Sequence, residues 1–406
     1  MDFRISDRIG GVSCCYICGG KSLELLEQLT GDHSATTDGQ LLRQRLQKYQ
    51  CLDCTLIQSN PTNVLNSDTF SGETTYDFYS KPLMRAFDKE RYQNYANWVS
   101  SFLGQCQPQS VLEIGCGQAW VLELLQEVYP SIRFHGLEPS ASATRHANEA
   151  GIQVQQGNVH SHSFSAGQFD FVYCINVLEH VSDPIGFLRQ VSGLLANDGA
   201  ALIICPCSNV IDPELLFADH LYSYSRENLQ RLAMLSDLVT SAWQQGPGML
   251  YPFQALFCGK GPLEISFAGN ARIAWWPDEI LPSGRRDYLW RWSILDDKLL
   301  ERLAPVGDVV CFGAGETSDL LRANAPRCWE AVRGYMIDRP AGADAQCQLL
   351  QTSGLQVRFT DDYGTDEFGG ILLGVKPRYQ GTISERLRIF GKPVVRWDDV
   401  VPEPFV

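Results

Sequence analysis

Short apolar runs that end in an acid or a glycine recur through the middle of the chain. In the first, residues 111–114, Glu113 precedes the closely spaced Gly115 and Gly117, and an amphipathic segment follows. This order predicts a strand, a tight turn and the start of a helix. Glycines let the backbone come close to a ligand, and the helix N-terminus behind them offers free N–H groups and a partial positive charge. The pattern therefore predicts a nucleotide-binding turn.

A second apolar run, residues 134–137, ends in Glu138. Glu138 follows Gly117 by about 20 residues, the spacing at which an acid holds ribose hydroxyls in βαβ units. The Gln-Gly-Asn turn at residues 156–158 and the long apolar run at residues 169–178 continue the series. Alternating strand and helix patterns predict an α/β fold with a doubly wound, mostly parallel sheet.

The C-terminal part of the chain repeats the same pattern. Residues 307–318 predict a strand, a glycine turn and a helix, and residues 334–338, 370–375 and 393–397 predict further strands. These segments indicate a second, smaller doubly wound domain. Two interpretations of its glycine turn stay open: a site for phosphate or a nucleotide, and a remnant of the fold that shields an active site.

Four cysteines near the N-terminus form two Cys-x-x-Cys knuckles. The first holds Cys15 and Cys18, the second Cys51 and Cys54, and residues 19–50 separate them. Two such knuckles place four thiolates around one tetrahedral Zn²⁺ and leave no open coordination position. The sequence therefore predicts structural zinc in a module too small to bury much core. Cys14 lies outside this spacing.

Length and charge narrow the class of protein. The 406 residues, 44% of them hydrophobic, predict two or three packed domains. The formal net charge of −14 argues against a nucleic-acid partner, whose phosphates require Lys and Arg. No apolar run is long enough to span a membrane and the N-terminus lacks a signal-peptide pattern, so we expect a cytoplasmic protein. The sequence does not indicate the oligomeric state.

The ordered set of turns and acids resembles the class I methyltransferases that use S-adenosylmethionine (SAM), over residues 90–245 or so. The chain departs from that family at Ala119, where a third glycine is frequent, and at Asn158, where Asp is frequent. An amide oxygen still accepts a hydrogen bond from the adenine amino group. The resemblance implies these cofactor-binding residues: Glu113, Gly115 and Gly117 around the methionine part, Glu138 on the ribose, Asn158 at the adenine, and Asn176 in the motif that follows the fourth strand.

Two segments beside the core carry further candidate chemistry. The aromatic-rich stretch at residues 76–85 precedes a predicted helix, and its Tyr76 or Tyr79 faces a substrate or packs on the core. Residues 217–224 place Asp219 and His220 together with two tyrosines. Histidine titrates near neutrality, and an adjacent carboxylate orients it and raises its basicity. His220 is therefore a candidate general base.

The order of zinc module, SAM core and glycine-turn domain resembles the three-domain sugar C-methyltransferases of deoxysugar and natural-product biosynthesis. It implies a zinc-binding module at residues 1–75, a methyltransferase core with a lid at 76–249, and a Rossmann-like α/β domain at 250–406. In that family a histidine removes the proton alpha to a keto group of a nucleotide-linked sugar, and the enolate attacks the SAM methyl group. The resemblance assigns these roles: His220 as base, Asp219 as its orienter, and His180 and Tyr76 as polar contacts near the sugar.

Two departures bear on the substrate. The family has Tyr-His-Glu-His where this chain has Phe-Ala-Asp-His at residues 217–220, and Glu316 stands near a position where the family usually has a lysine-bearing loop. An acid there repels a diphosphate. The leading hypothesis is C-methylation of a nucleotide-linked keto-sugar, with O- or N-methylation of another small metabolite as the alternative. A zinc-ribbon RNA methyltransferase and a non-catalytic scaffold are the alternatives from other classes.

Overall fold

A computed structural model describes residues 13–26, 29, 31–59, 86–263, 281–339, 351–352 and 354–403. The described residues belong to two compact units. The first unit comprises the segments Met1–Glu24, Tyr49–Val210 and His220–Trp275. The second comprises Leu25–Lys48, Ile211–Asp219 and Trp276–Val406.

The strands and helices of the described residues alternate over most of the chain. The strands are β1 (Leu23–Leu25), β2 (Ser34–Ala35), β3 (Leu41–Leu42), β4 (Lys48–Cys51), β5 (Ile57–Ser59), β6 (Ser110–Ile114), β7 (Arg133–Glu138), β8 (Val154–Gln156), β9 (Phe169–Ile175), β10 (Leu195–Pro206), β11 (Tyr222–Ser223), β12 (Val239–Gln245), β13 (Phe253–Gly259), β14 (Val309–Phe312), β15 (Val332–Ile337), β16 (Gln351–Thr352), β17 (Leu355–Phe359), β18 (Gly370–Leu373) and β19 (Val394–Val395). The helices are α1 (Ala86–Cys106), α2 (Trp120–Val128), α3 (Ala141–Glu149), α4 (Pro184–Leu194), α5 (Arg226–Leu235), α6 (Leu281–Ser293), α7 (Leu295–Leu303), α8 (Glu316–Asn324), α9 (Pro326–Trp329) and α10 (Pro377–Leu387).

The first unit is built on a seven-stranded sheet with the order β12-β13-β10-β9-β6-β7-β8. Strands β6 to β10 pair in parallel, and β13 is antiparallel to both β10 and β12. The chain runs outward from β6 through β7 to β8, then returns to β9 on the other side of β6. This reversal is the topological switch point of a doubly wound sheet, where ligands bind beyond the carboxyl ends of the strands. The predicted α/β class of the core is confirmed.

Both faces of this sheet are buried, which explains the near-continuous apolar strands. Val111 of β6 packs with Phe171 and with side chains of α1 on one face. Leu112 packs with Val172 and with side chains of α4 on the other. Glu113 interrupts this apolar series as a buried acid in the middle of the sheet.

The smaller sheet of the first unit has the order β1-β4-β5-β11 and carries the N-terminal cysteines. Strand β13 follows the boundary predicted at residue 249, and it pairs with β10 and β12 of the core sheet. The division of the chain at residues 75 and 249 stays a prediction.

The second unit contains a six-stranded sheet with the order β16-β17-β15-β14-β18-β19. All its pairs are parallel except β16 with β17. The hairpin of β2 and β3 and the segment Ile211–Asp219 belong to the same unit. None of the helices in the described ranges combines the length and the hydropathy that a bilayer span requires.

Candidate active site

The glycine turn after β6 adopts a backbone conformation that ordinary side chains resist. Gly115 has a φ of 71°, and a β-carbon there would overlap Cγ2 of Val177. Gly117 has a φ of 55°, and Ala119, with a φ of 63°, forms the N-cap of α2. Left-handed φ values favour glycine. Gly115 therefore keeps this turn close to Val177 in the segment that follows β9.

Glu138 joins the end of β7 to the glycine turn. Its Oε2 accepts a hydrogen bond from the Gly117 N–H at 2.8 Å, and its Oε1 accepts one from the Ser140 N–H at 2.8 Å. Burial raises the pKa of Glu138, and these two N–H groups oppose the rise. The carboxylate therefore braces the turn, and each oxygen keeps a lone pair for a hydroxyl donor.

Glu113 is a second buried carboxyl group beside the same turn. Only 3% of the residue is exposed, and the Tyr173 hydroxyl donates to its Oε2 at 3.0 Å. Burial, together with the charge of Glu138, raises the pKa of Glu113 to about 8, although the Tyr173 hydrogen bond opposes this. A positively charged ligand would favour the ionised form of both acids. SAM carries an ammonium and a sulfonium group, so its charge fits this pocket.

Asn158 lies in the tight turn after β8. The flanking Gly157 has a φ of 150°, and a β-carbon there would overlap the Ser161 carbonyl oxygen. Oδ1 of Asn158 accepts a hydrogen bond from the His160 N–H at 2.8 Å. This oxygen stabilises the turn and retains one lone pair that can accept a second hydrogen bond. The role of Asn158 at the adenine stays a prediction.

Asn176 follows β9 directly at the switch point, one residue before Val177, which packs against Gly115. Its φ is 53°, a left-handed conformation that Asn adopts more readily than most residues. Its Nδ2 donates to the Tyr95 hydroxyl of α1 at 3.1 Å. The end of β9 is therefore fastened to α1.

His180 and His220, the two predicted catalytic histidines, lie side by side beyond the carboxyl end of β9. The ring centroids of His180 and His220 are 4.8 Å apart, and the rings are nearly perpendicular, at 82°. One ring nitrogen of each and a carboxylate oxygen of Glu179 all lie within 4.8 Å of one another. Glu179 and His180 belong to the short 3₁₀ helix Leu178–His180, which Val177 separates from Asn176. His180 thus follows the switch point closely in the chain, and its N–H donates to the carbonyl of Val177, the residue that packs against Gly115.

Asp219 belongs to the second unit, and its carboxylate binds Thr37 there. The Thr37 N–H donates to Oδ1 at 3.0 Å and to Oδ2 at 3.2 Å, and the Thr37 hydroxyl donates to Oδ2 at 2.5 Å. The buried Lys48 also lies near Asp219 and Glu214. Asp219 thereby fastens its own segment, and its orienting role toward His220 stays a prediction. Tyr76 lies outside the described residues.

The four knuckle cysteines converge as the spacing predicts. Sγ of Cys15 lies 3.4 Å from that of Cys54, and Sγ of Cys18 lies 3.5 Å from that of Cys51. All four sulfurs lie within 4.8 Å of one another. Tetrahedral Zn²⁺ with bonds of about 2.3 Å separates its sulfurs by about 3.8 Å, so the set fits zinc. Asn228 of α5 donates to the Cys54 carbonyl at 2.7 Å, which ties the cluster to the core.

The glycine turn of the second unit forms a hydrogen bond and a close backbone contact with neighbouring residues of the same unit. Gly313 has a φ of 104°, and a β-carbon there would lie 2.7 Å from the Gly374 carbonyl oxygen. The Gly315 N–H donates to the Ser318 hydroxyl at 3.0 Å. This turn therefore packs two strand ends closely together, and Glu316 begins α8 beside it.

Sequence patterns did not single out three residues of the site: Glu179, Tyr173 and Tyr95. Tyr173 and Tyr95 look like core aromatics in an apolar strand and an amphipathic helix. Only their hydroxyl partners, Glu113 and Asn176, distinguish them. Glu179 could have been found from its position beside His180 at the end of a central strand, where parallel sheets place functional side chains.

Comparison with known proteins finds similarity over the core. A family model described as a methyltransferase domain matches residues 87–240. Ubiquinone biosynthesis O-methyltransferase of Escherichia coli O7:K1 (strain IAI39 / ExPEC) is 36% identical over 107 residues, which is 25% of this chain and 45% of that protein. The corresponding protein of Escherichia coli O157:H7 is 33% identical over 108 residues, again 25% of this chain and 45% of that protein. The chain thus spans less than half the length of these curated relatives.

Solved methyltransferase structures also superpose on part of the chain. The plantazolicin methyltransferase BpumL in complex with SAH has 18% identity and a TM-score of 0.37, covering 43% of this chain and 85% of that one. The Burkholderia thailandensis 1,6-didemethyltoxoflavin-N1-methyltransferase has 16% identity and a TM-score of 0.35, covering 42% of this chain and 79% of that one.

The family match agrees with the doubly wound sheet order and with the glycine turn and its two buried acids. Residues 87–240 of this chain match a methyltransferase domain, and this part of the chain has an α/β, Rossmann-like fold.

Proposed function

We propose that the protein transfers a methyl group from SAM to a small-molecule substrate, with His220 as the proton acceptor. The observation that supports this most is the path from the imidazole pair to the glycine turn through Val177, whose side chain packs against Gly115 and whose carbonyl accepts a hydrogen bond from the His180 N–H. His180 and His220 lie 4.8 Å apart, just beyond Val177, which packs against Gly115. A cofactor on the turn would then lie at the same edge of the sheet as His180, which follows β9, and His220, whose ring packs against that of His180.

SAM supplies an electrophilic methyl group bound to a positively charged sulfur. Glu138 and Asn158 hold the ribose and the adenine. The positive charge of the cofactor lowers the raised pKa values of Glu113 and Glu138, and the ionised acids then complement that charge. Because both acids are buried, their attraction for a cation is stronger than it would be in water. Gly115, Gly117 and Asn176 shape the backbone around the methionine part.

His220 accepts the proton that the substrate must lose before it attacks. The imidazole lone pair forms the new N–H bond, and the electron pair left on the substrate atom forms the bond to the methyl carbon. The bond between that carbon and the sulfur breaks, and its electron pair stays on sulfur as a neutral thioether. His180 lies edge to face with His220 and contacts the same substrate region.

The more specific proposal is C-methylation of a nucleotide-linked keto-sugar. The N-terminal cysteine cluster, the methyltransferase core and the C-terminal α/β sheet support it, because the sugar C-methyltransferases have that order. In this reaction His220 takes the proton alpha to the keto group, and Asp219 removes no proton itself. In this proposal Asp219 orients His220 and Tyr76 contacts the sugar.

O- or N-methylation of another small metabolite is the second candidate. It is favoured by the relatives that match 25% of this chain, because their name describes an O-methyltransferase. An imidazole base also removes the proton of a phenolic hydroxyl, which is more acidic than a proton alpha to a ketone. The two candidates share the cofactor site and the base and differ in the acceptor atom.

Transfer of a labelled methyl group from SAM tests both candidates. Thymidine-diphosphate keto-sugars form one panel of acceptors, and phenols and amines of metabolite size form the other. We expect turnover with one panel, a loss of about a hundredfold or more in His220→Ala, and unchanged turnover in His160→Ala. His160 is exposed, so it controls for loss of a histidine. Full turnover in His220→Ala would remove this residue from the mechanism.

A further inference from the structure

Glu179 is a buried acid at the centre of the candidate active site. Only 1% of this residue is exposed, and its carboxylate lies within 4.8 Å of a ring nitrogen of both His180 and His220. Burying a carboxylate is costly unless a positive charge or hydrogen-bond donors compensate for the lost water. The two imidazoles can supply both, since a protonated ring donates from each nitrogen.

Backbone hydrogen bonds fix the two segments that carry these side chains. The Leu221 N–H donates to the Glu179 carbonyl oxygen at 2.8 Å. The Ser59 N–H donates to the Leu221 carbonyl at 2.8 Å, and the Ser59 hydroxyl donates to the His220 carbonyl at 3.0 Å. His220 and Glu179 are therefore held in register by main-chain contacts, independently of their side chains.

Three titratable groups near Glu179, namely Tyr95, Cys174 and Tyr224, are neutral at physiological pH. Burial, with the charge of Glu179 among the lesser causes, raises the pKa of Tyr95, Cys174 and Tyr224. Arg91 lies near the Tyr95 hydroxyl and lowers the pKa of that group. Among the residues that the structure describes, Glu179 is an acid whose carboxylate lies within 4.8 Å of a ring nitrogen of both histidines.

We propose that Glu179 is the positioning residue of the imidazole pair: its carboxylate orients His180 and His220 and stabilises the imidazolium that forms when substrate is deprotonated. An acid beside a catalytic imidazole fixes the ring tautomer and favours its charged form. The catalytic part of this role rests on the proposed function. The assignment complements Asp219, whose carboxylate accepts hydrogen bonds from Thr37.

A substrate-free experiment tests the orienting contact. In the zinc-loaded full chain, histidine-selective nitrogen-15 labelling lets NMR follow the protonation and tautomer of the 7 histidines. We expect Glu179→Gln to lower the pKa of His180 or His220 by about one unit, because an anionic neighbour favours the imidazolium. Glu179→Asp keeps the charge and should restore part of the shift. Glu127→Gln, at an exposed position of α2, should leave both rings unchanged.

A kinetic experiment tests the catalytic part once an acceptor is known. Glu179→Gln should lower kcat by about a hundredfold and move the acid limb of the pH profile to lower pH, with KM and the affinity for S-adenosylhomocysteine unchanged. A residue that only supports the fold would instead change the binding of S-adenosylhomocysteine or the thermal stability.

Two results would overturn the proposal. One is that the pKa of His180 and that of His220 are each the same in Glu179→Gln, in Glu179→Asp and in the parent protein. The other is stoichiometric binding of Mn²⁺ to the zinc-loaded protein that Glu179→Gln abolishes, which would make the acid a metal ligand. Because the NMR readout needs neither cofactor nor acceptor, a chain that fails to transfer methyl groups would still reveal whether Glu179 controls the histidines.

Discussion

The backbone N–H of Gly117 donates a hydrogen bond of 2.8 Å to the side-chain carboxylate of Glu138. This bond joins the turn after β6 to the end of β7, so the acid that is expected at the ribose also sets the position of the glycine turn. Because Glu138 uses its second oxygen for the Ser140 N–H, the carboxylate is fixed before any ligand arrives. Cofactor affinity should depend on this preorganised geometry.

Substituting Gly115 should weaken cofactor binding. Its φ of 71° disfavours any residue with a side chain. A β-carbon there would also overlap Val177, which lies between β9 and the 3₁₀ helix that carries His180. We expect Gly115→Ala to lower the affinity for S-adenosylhomocysteine by about tenfold or more in calorimetry. Gly193→Ala is the matched control, because that helical position has open space for a methyl group. Equal affinities in the two variants would show that the turn tolerates the strain.

Glu113 should make the stability of the ligand-free protein fall as the pH rises. Its pKa is about 8 in the folded chain, against about 4.3 in an unfolded one, so the folded state binds the extra proton between these values. The protonated Glu113 therefore contributes its full stabilisation of the folded state below a pH of about 4.3, and this contribution is lost as the pH rises through 8. We expect Glu113→Gln to remove on the order of 2 kcal/mol of this pH dependence.

Thermal unfolding between pH 5 and pH 8 measures the effect. The parent protein should lose more stability across this range than Glu113→Gln, and the exposed Glu149→Gln should behave like the parent. Parallel curves for all three proteins would mean that Glu113 ionises normally in the fold.

The core was predictable because its signals are local in sequence. The run into Gly115 and Gly117, the acid at Glu138 and the cap at Ser225 each depend on neighbouring residues, and the structure has these elements where the pattern indicates. The sheet position of β13 was not predictable in this way. An antiparallel strand beside β10 has the same apolar pattern as the first strand of a new domain, so only the pairing distinguishes them.

Asp219 and Thr37 should form an energetic pair. Thr37 provides an N–H and a hydroxyl donor to this buried acid. Asp219→Ala leaves both donors without their acceptor, so we expect it to lower the free energy of unfolding by about 1 to 3 kcal/mol. In a double-mutant cycle with Thr37→Val, the two losses should not add.

The same variants test the predicted orienting role of Asp219. A purely structural Asp219 leaves the NMR titration of His220 unchanged in Asp219→Asn. A shift of that titration would instead support the orienter.

Loss of one knuckle cysteine should release zinc. Cys18→Ser removes one of four converging sulfurs, and three remaining thiolates hold Zn²⁺ less tightly. We expect less than one zinc per chain by elemental analysis and a lower unfolding temperature, because the cluster is tied to α5 through Asn228 and Cys54. Cys14→Ser, one residue before the knuckle, should keep full zinc content. Loss of zinc from both variants would point to a different ligand set.

The parts of the site that the sequence left unpredicted involve distant partners. Thr37 and Asp219 are 182 residues apart, and no periodicity relates them. Glu179 follows an apolar strand in a segment that resembles a family motif, yet its proximity to His220 arises from the main-chain bond between Leu221 and Glu179. Spacing predicts neighbours within one element or one turn, while the fold determines which of these elements meet.

Calorimetric titration with S-adenosylhomocysteine tests the central claim most directly. The zinc-loaded parent protein should bind one equivalent, and Glu138→Gln should bind about tenfold to a hundredfold more weakly, because an amide cannot accept hydrogen bonds at both of its side-chain polar atoms. Glu149→Gln, an exposed acid on α3, should bind like the parent. A parent protein that gives no binding heat, or a Glu138→Gln variant with unchanged affinity, would contradict the cofactor site described here.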